Sequence, residues 1–259
     1  MSAILLIGCG RMGGAMARGW SETHDVIVFD PHAPPLPGTR RIDRIDSAGL
    51  PRELVVVLAV KPQMVAEVLP AVRPLAERCN LILSIMAGVT SATLGSTLGG
   101  AERIVRSMPN TPAAIGKGIT AAFGGSAITA ADRAMVDALL RSVGDVVWLE
   151  SEDQLDAVTA ISGSGPAYFF RFAEALAQAG ATMGLDPELA MRLSRATFTG
   201  SAALADLDPA SLAELRIRVT SPGGTTAAAL AQFDKDEALD HLVRRAVDAA
   251  ESRSRELSN

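Results

Sequence analysis

The feature that most constrains the fold is the glycine-rich segment GCGRMGG, which directly follows the apolar run AILLI near the start of the chain. Gly8, Gly10 and Gly13 have the spacing G-x-G-x-x-G, which permits a tight turn, close approach of a ligand to the backbone, and packing of a helix on the strand. A helix that begins there offers unpaired N–H groups to a phosphate. The segment predicts a strand, a turn and a helix that bind a dinucleotide; a tight turn without a ligand is the alternative.

Short apolar runs alternate with helical stretches up to about residue 150. The predicted strands are AILLIG, DVIVFD, LVVVLAV, LILSI and RIVRSM. They lack polar alternation, which is typical of parallel strands buried on both faces, so we predict a parallel sheet with crossover helices. The segment PHAPPLPG after the second strand is too rich in proline and too short for a helix, and we predict an extended link there.

Strand patterns end after DVVWLES, and the remaining chain has helical spacing. The predicted fold class is α/β, with an N-terminal Rossmann-type dinucleotide-binding domain over residues 1–151 and a C-terminal all-helical domain over residues 152–259. The predicted helix 166–183 has only Arg171 and Glu174 as charged residues, so nearly every side of it must be buried. A small helical domain offers too little cover for it, so we expect subunits to associate.

Composition excludes several classes of function. Cys9 and Cys79 lie far apart, and neither is part of a metal-ligand or disulfide pattern, so we expect no metal. A formal net charge of −5 without a basic cluster argues against nucleic acid and membrane surfaces as partners. No apolar run is long enough to span a membrane, and Met1–Ile7 lacks the pattern of a signal peptide. We expect a cytoplasmic protein that acts on a small molecule.

The carboxyl end of the predicted sheet carries further candidates for cofactor binding. Asp30 ends the second strand, where a carboxylate can accept hydrogen bonds from the adenosine ribose and disfavour the extra phosphate of NADPH; a turn cap before Pro31 is the alternative. Arg40 and Arg41 could still reach a phosphate, so the choice between NADH and NADPH stays open, although Asp30 favours NADH. The segments AVKPQ, SIMAGVT and SMPNTP end further strands at this edge, where ordinary turns would also explain them.

The helical half is interrupted by VTSPGGTTAAAL, residues 219–230. Thr225 or Thr226 can cap the helix that follows, and the preceding glycines leave N–H groups that can bind an anion. The loop predicts a carboxylate site without a charged side chain, and the Thr226 hydroxyl can donate to an atom beside the carboxylate. A structural cap is the alternative, although it needs one threonine and no Pro-Gly-Gly.

Six segments together resemble the landmarks of the pyrroline-5-carboxylate reductase family, and the last two are the most specific: IGCGRMG, AVKPQ, AGVT, IVRSMPNTPAAIGKG, SGSGPAY and VTSPGGTTAAAL. They cover nearly the whole chain in order. The resemblance implies a helical dimerisation domain, a homodimer, larger rings such as a decamer, and reduction of L-1-pyrroline-5-carboxylate to L-proline by NADPH or NADH in proline biosynthesis. The proline-rich link after Asp30 replaces a helix that is usual in the family.

The resemblance also implies the site residues. The backbone of Gly223, Gly224 and Thr225 resembles the substrate carboxylate site, to which we add Ser221. Thr226 matches the residue whose hydroxyl lies beside the ring nitrogen, and it is the predicted catalytic residue. The predicted cofactor site contains, besides the three loop glycines and Asp30, the residues Cys9, Arg11, Met12, Ala59, Val60, Lys61, Pro62, Ala87 and Asn110.

The absence of a strong general acid in the sequence fits this chemistry. The three histidines are isolated, and residues 166–204 contain neither lysine nor histidine, so the expected substrate needs little proton transfer, as a protonated imine does. A β-hydroxyacid dehydrogenase has a similar layout but uses a lysine of the helical domain, which is absent here. A cofactor-sensing or pyridoxal-binding regulator is the alternative that is not an enzyme.

Overall fold

The computed structural model describes residues 3–46, 49–51, 53–76 and 78–258, so the first two residues of the predicted N-terminal strand region lie outside it. The strands in this part of the chain are β1 (Ala3–Ile7), β2 (Val26–Phe29), β3 (Thr39–Arg41), β4 (Leu54–Leu58), β5 (Leu81–Ser84), β6 (Ile104–Met108), β7 (Gly118–Gly124) and β8 (Gly144–Trp148). The α-helices are α1 (Arg11–Trp20), α2 (Val65–Ala76), α3 (Ser91–Thr97), α4 (Ala130–Arg141), α5 (Gln154–Val158), α6 (Gly165–Thr182), α7 (Pro187–Leu207), α8 (Leu212–Arg218), α9 (Thr225–Asp234) and α10 (Ala238–Ser258).

The strands form one sheet with the order β3-β2-β1-β4-β5-β6-β7-β8. The five predicted strands are confirmed as β1, β2, β4, β5 and β6, and the proline-rich link is confirmed, since it joins β2 to β3 in parallel without a helix. The predicted parallel pairing is confirmed for these five strands, whereas β7, which was not among the predicted strands, runs antiparallel to β6. The two are joined through a short 3-10 helix, Thr111–Ile115, and a parallel pair would need a longer crossover.

The central strands of the sheet are buried on both faces, which explains why β1, β2 and β4 are uniformly apolar. In β1, Ile4 and Leu6 belong to one core with residues of α1 and α4, whereas Leu5 and Ile7 belong to a second core with residues of α2 and α3. Successive residues of a strand point to opposite faces, so both sets must be apolar. Because β1, β2, β4, β5 and β6 are parallel, their carboxyl ends lie at one edge of the sheet.

Contacts divide the chain into two units, residues 1–164 with 249–259 and residues 165–248. The predicted domain boundary between residues 151 and 152 stays a prediction. In the second unit α6 packs on α7, and the rings of Phe169 and Phe170 contact Phe198. Only Gly165 and Ala177 of α6 are buried. The helix that was predicted to need cover on nearly every side is therefore largely open within one chain.

Two kinds of site are not found among the described residues. No described helix is both long and apolar enough to cross a membrane. No group of three or more described His, Cys, Asp or Glu side chains is arranged to hold a metal ion.

Candidate functional site

The glycine-rich loop lies at the carboxyl end of β1 and is shaped by close backbone contacts. Gly8 has φ of +91°, and a Cβ added there would lie 2.7 Å from the carbonyl oxygen of Ala59. A Cβ on Gly13 would lie 2.4 Å from the carbonyl oxygen of Gly8. By contrast, an added Cβ on Gly10 would meet no atom within 4 Å. Gly8 and Gly13 are therefore required by packing, whereas Gly10 borders open space that a ligand can fill.

The N-terminus of α1 suits an anion. Gly10 is the N-cap, no side chain caps the helix, and the first turn contains no acidic residue. Arg11 and Met12 are the first two residues of this helix; Arg11 is exposed and Met12 is packed against the core. Uncapped N–H groups and the helix dipole favour a phosphate at this position. This end of α1 fits the pyrophosphate of a dinucleotide.

Asp30 connects the glycine-rich loop to the link after β2. Its Oδ2 accepts a hydrogen bond from the amide of Cys9 at 2.7 Å, and its Oδ1 accepts from the amides of His32 and Ala33 at 2.9 and 3.0 Å. Burial alone would raise the pKa of Asp30, but these three hydrogen bonds outweigh it and hold the pKa below its ordinary value. Asp30 is therefore ionised at neutral pH. It caps the turn through Oδ1, and Oδ2, which accepts one hydrogen bond, keeps a lone pair for a further donor such as a ribose hydroxyl.

The two arginines after the link have different partners. The Arg41 guanidinium donates through Nη1 to the carbonyl of Ala33 at 2.9 Å and through Nη2 to the carbonyl of Pro31 at 3.0 Å. The Arg40 guanidinium lies 4.0 Å from the carboxylate of Asp25, which comes just before the first residue of β2, at the end of the strand away from Asp30. The link is thus held by Asp30 at its amides and by Arg41 at its carbonyls, while Asp30 also accepts from the amide of Cys9 in the glycine-rich loop.

The charge of this carboxylate also acts on the thiol of Cys9. Burial raises the pKa of Cys9, and the negative charge of Asp30 raises it further. The thiol is therefore protonated at neutral pH, so Cys9 contributes its backbone amide and a neutral side chain to the loop.

The residues after β4 and β5 lie along the same edge. Ala59 directly follows β4, and its amide donates to the carbonyl of Ile7 at 2.8 Å. A Cβ added to Gly8 would lie 2.9 Å from the side chain of Val60. Lys61 is exposed and precedes a 3-10 helix that begins at Pro62. The structure therefore brings Ala59 and Val60 directly against the glycine-rich loop, with Lys61 and Pro62 next in the chain.

The loop after β5 contains Ala87. This residue packs against the small cluster of Met108, Ala121 and Leu155 and does not contact the glycine-rich loop in any described interaction. The structure thus groups Ala87 with the end of β6 rather than with the loop after β1.

Asn110 follows β6 and is buried. Its Oδ1 accepts a hydrogen bond from the amide of Ile119 at 3.0 Å, and its Nδ2 lies 3.2 Å from the hydroxyl oxygen of Ser162. The 3-10 helix that follows Asn110 packs against α1. The sequence did not predict a site role for Ser162, although this residue lies in the segment SGSGPAY. A serine in a glycine-rich break gives no local signal of a contact with a residue as distant in sequence as Asn110.

The loop before α9 lies in the second unit and has a defined turn. The amide of Gly224 donates to the carbonyl of Ser221 at 3.0 Å, with Pro222 next and then Gly223, which has φ of +71°. Proline followed by a residue with positive φ is typical of a type II turn. Ser221 and Gly223 are exposed. Because Gly224 uses its amide inside the turn, the amides left for a ligand are those of its neighbours.

The prediction that Thr225 or Thr226 caps α9 is wrong. Gly224 occupies the N-cap position, and no side chain caps the helix; the two threonines are already its first residues. Within the described part of the chain, neither threonine hydroxyl and none of the amides of Gly223, Thr225 and Thr226 has a hydrogen-bond partner. A half-buried hydroxyl on Thr226 and three open amides can together bind a carboxylate and one adjacent polar atom.

Both halves of the chain are similar to known proteins. Residues 152–257 match the family described as pyrroline-5-carboxylate reductase dimerisation, and residues 3–88 match the family described as NADP oxidoreductase coenzyme F420-dependent. Pyrroline-5-carboxylate reductase from Pseudomonas aeruginosa is 40% identical over 98% of this chain and 96% of that protein.

Solved structures of the same family are similar over their full length. A pyrroline-5-carboxylate reductase from Coxiella burnetii has a TM-score of 0.89 and 34% identity, covering 100% of this chain and 99% of that chain. A Plasmodium falciparum pyrroline carboxylate reductase with NADP bound has a TM-score of 0.84 and 29% identity, covering 100% of both chains. Because the sequence similarity extends along almost its whole length, the chain belongs to the pyrroline-5-carboxylate reductase family.

Proposed function

We propose that this chain reduces L-1-pyrroline-5-carboxylate to L-proline with a nicotinamide cofactor, as the last step of proline biosynthesis. The observation that carries the proposal is the N-terminus of α9, where open amides and an unpartnered threonine hydroxyl adjoin a Pro-Gly-Gly turn. Its relatives in Pseudomonas aeruginosa and Coxiella burnetii bear the name of this activity.

The substrate carries a carboxylate next to the ring nitrogen, and the proposed loop offers hydrogen-bonding groups for both. The amides of Gly223, Thr225 and Thr226 hold the carboxylate, supported by the turn that Ser221 and Gly224 form. The Thr226 hydroxyl oxygen accepts a hydrogen bond from the protonated ring nitrogen and aligns the C=N bond. Because a backbone site carries no full charge, it binds the anion without creating a strong ion pair that would slow product release.

The proposed chemistry depends mainly on positioning. When bound, the cofactor supplies a hydride to the carbon of the C=N bond. The imine is protonated in solution and already electrophilic, so the chain needs no strong acid, and residues 166–204 contain neither lysine nor histidine. The loop residues hold the ring in one orientation, and Thr226 is the proposed catalytic residue.

The cofactor site that we propose lies along the carboxyl edge of the sheet. Gly8, Gly10 and Gly13 form the pyrophosphate cradle with the first turn of α1, and Asp30 accepts hydrogen bonds from the adenosine ribose. Open space at Gly10 and the uncapped start of α1 support this assignment. Since Asp30 is ionised and Arg41 is engaged with the link, the site favours NADH over NADPH. The remaining proposed contacts are Cys9, Arg11, Met12, Ala59, Val60, Lys61, Pro62, Ala87 and Asn110.

We further propose a cytoplasmic homodimer that can assemble into a larger ring such as a decamer, with neither nucleic acid nor a membrane as partner. The support is the apolar surface of α6, where Phe169 and Phe170 are 63% and 56% exposed in the single chain. Neighbouring exposed aromatic residues mark an interaction surface. The match of residues 152–257 to a dimerisation family agrees with this use of the helical region.

Substitutions at Thr226 test the site. Thr226→Val removes the hydroxyl at nearly constant shape and should lower kcat/KM for pyrroline-5-carboxylate by about ten- to a thousandfold, the range for one oriented hydrogen bond near the reacting atoms. Thr226→Ser keeps the hydroxyl and should retain most of the activity. If both variants fold and Thr226→Val keeps wild-type kinetics, the α9 loop is not the catalytic site.

A further inference from the structure

A wide helical turn precedes α6 in the first unit. Residues Thr159–Gly163 form a π-helix between α5 and α6, and the amide of Ser164 donates to the carbonyl of Thr159 at 2.8 Å. Single π turns inside helical segments are uncommon and occur frequently at functional sites. This turn holds Ser162, whose hydroxyl oxygen meets the side chain of Asn110. The turn therefore brings one hydroxyl to the carboxyl end of β6.

The hydrogen bonds of Asn110 determine how its carboxamide is oriented. The amide of Ile119 can only donate, so the atom that it meets must be the oxygen Oδ1 of Asn110. The nitrogen Nδ2 then faces Ser162, and because Nδ2 can only donate, the Ser162 oxygen must accept. The hydroxyl proton of Ser162 points away from Asn110, and the Asn110 carboxamide cannot rotate without losing both bonds.

Asn110 is held in this way although a local role was available to it. It occupies the N-cap of the 3-10 helix Thr111–Ile115, where asparagine commonly bonds to the first amides of a helix, yet its side chain makes no capping bond. Only 9% of the residue is exposed, and in the described part of the chain one of its two N–H groups has an acceptor. The second N–H group of this buried amide is therefore available to a further acceptor.

We propose that Ser162 is a positioning residue, which fixes Asn110 so that its remaining N–H donates to the carboxamide carbonyl of the cofactor's nicotinamide. The inference rests on the proposed function, because it takes the carboxyl end of β6 as the nicotinamide end of the site. Ala87, the other proposed contact there, packs against Met108 at the end of the same strand. The pair Asn110 and Ser162 thereby orients the ring that reacts, whereas the glycine-rich loop binds the opposite half of the cofactor.

Two ligands that differ in the nicotinamide separate a positioning role of Ser162 from a general effect on folding. NADH carries the nicotinamide, whereas ADP-ribose lacks it and retains the adenosine and pyrophosphate. Ser162→Ala in the full chain should weaken NADH binding, followed by fluorescence titration, by about three- to tenfold, as expected for the loss of one hydrogen bond's orientation. ADP-ribose binding, measured by calorimetry, should be unchanged.

Matched variants make the test specific. Thr159→Val removes a hydroxyl from the same π turn that donates only to the helix carbonyl of Leu155, and it should leave both ligands unaffected. Ser162→Cys keeps the side-chain shape with a poor acceptor, so it should repeat the loss for NADH if the alanine variant does not fold. Equal losses for NADH and ADP-ribose, or no loss for NADH, would overturn the proposal.

The binding assays are independent of turnover. If the wild-type chain fails to reduce pyrroline-5-carboxylate but Ser162→Ala still weakens NADH selectively, the proposed function is wrong and the positioning role stands. If turnover is found and the selective loss is not, the positioning role is wrong.

Discussion

Replacing Asp30 by asparagine tests how the chain distinguishes its cofactors. NADPH carries a phosphate on the ribose hydroxyl that is proposed to donate to Asp30, and this phosphate would lie about 4 Å from the carboxylate. At that distance two unit charges repel by about 1 kcal/mol in water and by about 4 kcal/mol at an effective dielectric constant of 20. Asp30 is half-buried, so the repulsion lies between these limits. Asp30→Asn should therefore raise the ratio of kcat/KM for NADPH to that for NADH by about fivefold to several hundredfold.

The same substitution also disturbs the loop, which determines the choice of readout. Asparagine has one side-chain oxygen, so it can serve either the amide of Cys9 or those of His32 and Ala33, and an unpaired amide costs about 1–3 kcal/mol. That cost lowers stability and affects both cofactors alike. The ratio of the two kcat/KM values cancels it, whereas either value alone does not.

Steady-state kinetics with both cofactors, on wild type and variant at the same pH, gives this ratio. Asp25→Asn is the matched control, because Asp25 lies just before β2, at the end of the strand away from the glycine-rich loop, and its carboxylate is 4.0 Å from the Arg40 guanidinium. The control should leave the ratio unchanged. A folded Asp30→Asn variant with the wild-type ratio would refute the reasoning and leave Asp30 as a cap of the proline-rich link.

Three further predictions concern packing, pH and assembly. Gly88→Ala should lower the free energy of unfolding by about 1–3 kcal/mol in thermal denaturation, because its Cβ would lie 2.8 Å from the Leu257 carbonyl oxygen; an unchanged Tm would show that the end of α10 does not pack there. Although burial raises it, the pKa of Asp132 is held below its ordinary value by the Arg103 and Thr129 hydrogen bonds, so its stabilisation is present above pH of about 4 and is lost as the pH falls through the lower folded pKa. The stability difference between wild type and Asp132→Asn, about 1–3 kcal/mol at neutral pH, should thus shrink in acid denaturation series, and a difference that grows at low pH would contradict this. Phe170→Glu should dissociate the proposed dimer in light scattering, whereas a folded wild-type monomer at micromolar concentration would refute the proposed interface.

The parts of the fold that follow from local pattern could be predicted from the sequence. Apolar runs without alternation identify the parallel strands, because both sheet faces are covered. The spacing of Gly8, Gly10 and Gly13 identifies the turn at β1, and the prolines after Asp30 identify a link without a helix. In each case neighbouring residues alone determine the backbone.

The parts that depend on distant residues could not be predicted. The antiparallel β7 lacks a strong strand pattern, since GITAAFG contains small residues that pack only because β6 and β8 flank it. The bond between Asn110 and Ser162 joins two segments far apart in sequence through a π turn that no periodicity reveals. At α9 the composition predicts a capped helix, but a turn that bonds Gly224 to Ser221 places the cap one residue earlier and leaves the threonine hydroxyls open.

The most direct test of the account is turnover by the purified full-length chain with pyrroline-5-carboxylate and NADH. The account predicts oxidation of NADH that depends on the substrate and matches, mole for mole, the L-proline identified as the product. The central claim would be contradicted if the folded chain binds NADH but forms no proline with either NADH or NADPH.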